Sequence, residues 1–80
     1  MTHRRIAASK VYIVADKGTV EAYTNHIVVT DGGHFIGHCP LIGEPAMTEW
    51  LGGTIVVSEE KISHYHRVLD ITEIVGKHYF

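Results

Sequence analysis

Seven histidines, a single cysteine and nine carboxylates are the side chains of this 80-residue chain that could do chemistry. Imidazoles at the right spacing hold a transition metal, relay protons or change charge near neutral pH. A thiol with a neighbouring imidazole makes a nucleophile. Spacing sorts the histidines quickly. His3 and His78 lie in terminal segments, and His34 is about 13 Å along a strand from His38 by strand rise, beyond the reach of a shared ion. His26 and His38, placed directly opposite in a hairpin, would bring their Cβ atoms to about 4.5–5.5 Å. His64 and His66 converge on one face if their segment is a strand and diverge if it is a helix. A metal site is therefore expected only as His26, His38, His64 and His66 together, with a divalent transition metal such as zinc as its cofactor.

Other constellations offer less. Cys39 falls on the apolar side of its strand beside Phe35, where a free cysteine behaves as a small hydrophobe rather than as an activated thiolate. Glu59 and Glu60 read as a solvated turn or a helix start, and Gly32-Gly33 and Gly52-Gly53 as turns without a phosphate-loop context. His64-Tyr65-His66, with Asp70 and then Gly76, resembles half of the metal motif of cupins over that one segment. That resemblance implies His64 and His66 as ligands in a jelly roll. The cupin carboxylate is normally Glu where this chain has Asp70, no second motif follows, and the chain is not assigned to that family. No catalytic residue is assigned, and a non-enzymatic role is expected.

Composition narrows the class of partner. Seven basic against nine acidic residues leave a net charge of −2, without the basic footprint of a nucleic-acid binder. No run approaches the length of a membrane span. A lone thiol excludes an intrachain disulfide and points to the cytoplasm. At this size a single core supplies only a few kcal/mol, and oligomerisation is one of the usual remedies.

The elements that must position these residues read as mainly β: a small curled antiparallel sheet or barrel, one domain over 1–80, with residues 1–8 as a flexible arm. Val11 to Ala15 is a strand, Asp16-Lys17-Gly18 a hairpin loop, and Thr19 to Thr30 one long strand. Its apolar phase changes near Thr24-Asn25, which predicts a bulge there. Binary patterning favours a three-residue loop, Asp31-Gly32-Gly33, which sets His26 opposite His38 and Val28 opposite Ile36. Pro45 followed by Met47, Trp50 and Leu51 at helical spacing predicts a short helix over Ala46–Leu51. Thr54 to Val57 is a strand. Ile62 to Val75 is read as a strand pairing back on it, in preference to a helix over 59–69, because β-branched and aromatic residues dominate.

The histidine-bearing face of the second hairpin then has an apolar centre, Val28 and Ile36, with Thr30 and His34 at its rim. Such a composition suits a contact patch, and Trp50 is a further anchor. The expectation is a binding or interaction module acting as a homodimer, with a small-molecule or protein partner. A pocket lined by Tyr23, His26, His38 and Trp50 is a variant of the same reading.

Overall fold

The structure is a computed structural model in which residues 3–15, 19–43, 47–59 and 61–75 are described. Six strands form one open sheet: β1 (His3–Val14), β2 (Val20–Asp31), β3 (His34–Pro40), β4 (Thr48–Trp50), β5 (Thr54–Ser58) and β6 (Lys61–Tyr65). One short helix, α1 (Ile71–Val75), follows. The order is β3-β2-β1-β5-β6, with β4 pairing β1 off that path. The β1–β4 and β1–β5 pairs are parallel, so the sheet is mixed rather than antiparallel throughout. It curls until β3 and β6 draw near without pairing, and it does not close into a barrel.

The central strand is β1, and its first half is the segment expected to be an arm. Ile6-Ala7-Ala8 is a continuous apolar run, the pattern of a strand buried on both faces, and these three residues are 7%, 1% and 0% exposed. The β1–β2 ladder sets Val14 opposite Val20 and Tyr12 opposite Ala22, as the hairpin pattern predicts. The loop residues 16–18 lie outside the described residues.

Two apolar clusters cover the two faces. Ile6, Ala8, Val11, Val28, Ile55 and Val57 fill the inner face, with Ile13, Tyr23, Phe35 and Ile62 against them. Tyr12, Val14, Val56, Leu69 and Ile74 form the outer cluster, where the segment from Leu69 through α1 lies over the sheet. Inner positions are even at Ile6 and Ala8 but odd at Val11 and Ile13. On β2 they are odd at Tyr23 and even at Val28. The phase change near Asn25 is therefore real, but the residues opposite it on β1 change phase as well. The register continues unbroken from Ala8↔His26 to Lys10↔Thr24, so no residue is inserted. Asn25 takes the left-handed conformation, φ 47°, that lets the strand turn over its faces.

Three further expectations are corrected. The second hairpin turns on Gly32-Gly33 alone, at φ 59° and 86°, with Asp31 opposite His34. Two successive positive φ values make a two-residue turn of the primed type, which glycine adopts without steric cost. A register shift at Val29/Thr30 then absorbs one residue of β3, placing Val28 opposite His38 and His26 opposite Pro40. The helix expected over Ala46–Leu51 is instead strand β4, with Ala46 outside the described residues. Hydrogen bonding to the flank of Arg5–Ala7 outweighs the helical spacing of Met47, Trp50 and Leu51. The final strand stops at Tyr65. Asp70 then begins α1, its Oδ1 accepting from the Glu73 amide at 3.0 Å while the Glu73 carboxylate accepts from the Asp70 amide at 3.1 Å. Such a reciprocal capping box satisfies two amides that the helix cannot.

Candidate functional site

The alternation of β2 and β3 brings four rings together on the inner face. His26 and His38 are diagonal rather than directly opposite, yet His26 Nε2 and His38 Nδ1 lie 2.7 Å apart, a hydrogen bond between two imidazoles. Diagonal neighbours on adjacent strands are within reach of long side chains. Tyr23 stacks on His26 with ring centres 4.2 Å apart and planes inclined by 16°. Phe35, turned to this face by the bulge, stacks on His38 at 6.2 Å. His26 is 5% exposed, whereas His38 is open to solvent. Burial, and secondly the nearby His38, hold the His26 imidazole below its ordinary pKa. The Tyr23 hydroxyl donates to Glu21 at 2.6 Å, and that bond raises its phenol pKa.

His64 shares the inner face, because it pairs directly with Ile55, but its Nε2–H is donated to the Gly52 carbonyl at 3.1 Å. His66, beyond the end of β6, meets it edge-on, with ring centres 5.0 Å apart. The two histidine pairs thus form on separate strand pairs, and no group of three or more His, Cys, Asp or Glu side chains among the described residues is arranged to hold a metal ion. Asp70, the residue in the cupin carboxylate position, is occupied as the cap of α1. The Cys39 thiol accepts only a long contact, 3.8 Å, from the Arg5 guanidinium. His34 opens β3 opposite Asp31, and His3 lies 3.5 Å from the same carboxylate. His78 lies outside the described residues.

The proposed contact patch is divided by the fold. Val28 is 0% and Thr30 3% exposed, so both belong to the interior of the chain, while Ile36 is 53% and Trp50 57% exposed. His34 is also exposed. Trp50 pairs with Ala7 and so faces the side opposite Ala8 and the histidine rings, which dissolves the pocket drawn from Tyr23, His26, His38 and Trp50. Tyr23, His26, His38 and Phe35 pack ring against ring instead.

A second region of surface is built around β4, which sequence spacing had placed on a helix. This strand pairs in parallel with β1. Beside it stand Met47 at 90%, Trp50 at 57% and Leu51 at 42% exposure, with Ile42 at 80% in the preceding loop. A groove of about 470 Å³ runs between β1 and β4, lined by His3, Arg4, Arg5, Met47, Thr48 and Glu49. Within it Arg4 Nε donates to Glu49 Oε2 at 2.8 Å. Comparison of the chain with protein-family models, with curated proteins and with solved structures finds no match, so its assignment rests on this geometry.

Proposed function

We propose that this chain is a non-enzymatic binding module that works as a homo-oligomer, associating through the β4 end of the sheet. One observation carries the reading: Met47, Trp50 and Leu51, three large apolar side chains grouped at the short strand β4, are all exposed. Large apolar side chains grouped at one end of a sheet gain from burial against a partner, and their desolvation stabilises such association. Trp is also the residue type most enriched at the energetic centre of interfaces. The small core of an 80-residue chain gives self-association a stabilising role as well.

Light scattering over a concentration series tests this directly. The expected result is a particle that grows with concentration toward a defined oligomer, and Trp50→Glu or Leu51→Glu returning it to a folded monomer. A concentration-independent monomer of 8.9 kDa would remove self-association. An oligomer indifferent to both substitutions would place the interface elsewhere.

A further inference from the structure

We propose that His26 and His38 form a proton-operated latch on strand β3, closed while the pair carries at most one extra proton and open when both imidazoles are charged. The stoichiometry follows from one distance. With His26 Nε2 and His38 Nδ1 2.7 Å apart, a single proton lies between two ring nitrogens. Each ring keeps one outer nitrogen. A first added proton fits there and turns the contact into an imidazolium–imidazole bond, which charge strengthens. A second leaves N–H facing N–H, with no lone pair to accept and two like charges in contact. The rings must then part.

What they release is set by their place in the sheet. His38 pairs opposite Val28, a core residue, and His26 opposite Pro40, the last residue of β3. As an end strand of the sheet, β3 is held by the β2 ladder on one side and by the stacked rings above it. Parting the rings loosens the far end of β3 and uncovers the inner core at Val28.

The surrounding charges do not compensate. On the same face β2 presents Tyr23 with its Glu21 partner, β1 presents Arg4 already paired with Glu49, and β6 presents His64 bonded to Gly52. Among the described residues no carboxylate forms an ion pair with either imidazole. The buried ring, His26, also resists protonation in the folded chain. The unfolded chain therefore binds this proton first as pH falls. Stability from the pair is complete above the ordinary histidine range and declines as pH drops through about 6.5 toward the lower folded value. The latch is a property of one chain and does not depend on association through β4.

Hydrogen exchange and imidazole nitrogen NMR on the dilute full chain test it together. Between about pH 7.5 and pH 5, the histidine range, the nitrogen–nitrogen coupling across the pair should vanish. Over the same interval β3 amide protection, corrected for intrinsic exchange, should fall about tenfold or more, the equivalent of one pH unit of differential proton binding. His26→Phe keeps an aromatic ring against Tyr23 without the titration, and its β3 protection should be flat over that interval. An equal loss in His26→Phe would overturn the latch. Should that variant not fold, the wild-type chain still decides: coupling or β3 protection that persists after both rings have titrated overturns it too.

Discussion

Along one flank of β1 two strands run parallel to it, and they bury very different amounts. Beside Lys10–Val14, β5 makes five paired positions, and Thr54 to Val57 are all buried, Ile55 completely. Beside Arg5–Ala7, β4 makes three, and Glu49 and Trp50 remain exposed. The shared strand is buried at Ile6 to Ala8 in one half and at Val11, Tyr12 and Val14 in the other, so much of the difference lies in what covers the partner. β5 has β6 on its other edge and the Leu69–Ile74 segment over its outer face. Parallel pairing is ordinarily confined to strands covered on both faces. The β4 half, with Glu49 and Trp50 exposed, departs from that rule, and the association proposed above would bring it into line.

The junction between the halves should be the most sensitive point. Gly52 and Gly53 both have positive φ, 67° and 62°, and carry the chain from β4 into β5. A Cβ on Gly53 would stand 2.1 Å from the Tyr65 carbonyl oxygen, while one on Gly52 meets nothing nearer than the Trp50 indole nitrogen at 3.6 Å. Gly53→Ala is expected to cost about 3 kcal/mol or more, enough to unfold a small domain at ambient temperature, because backbone must move. Gly52→Ala pays only the left-handed penalty of about 1–2 kcal/mol. Equal denaturation midpoints for the two would show that the junction does not organise the halves.

Next in size is the bond that ties the cover to β5. The Thr54 hydroxyl accepts from the Leu69 amide at 2.8 Å and donates to the Arg67 carbonyl at 3.1 Å. Thr54→Val keeps the shape and leaves both groups without that partner. A loss of about 1–3 kcal/mol is expected, the cost of an unsatisfied buried amide, read by urea denaturation. A neutral result would mean that apolar contact alone seats the Leu69–Ile74 segment.

The smallest stability effect belongs to the β4 half. Trp50→Ala in the dilute monomer should change stability by about 0.5 kcal/mol or less, the range of surface substitutions, while abolishing concentration-dependent association. A large destabilisation instead would mean that Trp50 serves the fold rather than a partner.

Local pattern was a good guide wherever one strand met its sequence neighbour. The first hairpin register and the uninterrupted second strand both follow from alternation and turn residues. The D-I-T-E run from Asp70 to Glu73 is a capping signal present in the sequence, masked by the β-branched content of Ile62 to Val75. The His26–His38 contact was partly legible: the residues were the right ones, but the directly opposite pairing rested on a three-residue loop. The Gly32-Gly33 turn with a bulge places Phe35 on the same face as Val28, an arrangement that alternation alone cannot distinguish from its competitor.

The sequence alone was enough to determine a small, single-cysteine, mainly β chain, with strands near 11–15, 19–30 and 54–57 and a further one beginning at His34, because side-chain alternation and glycine turns act over a few residues. Only the tertiary structure decided that residues 3–8 are the centre of the sheet, that Val28 is core rather than contact, and that Thr48–Trp50 is strand rather than helix. Each of these depends on parallel pairing across some forty residues of chain. Such pairing is rewarded by backbone bonds and burial that exist only after the chain has closed on itself, and no local propensity records them.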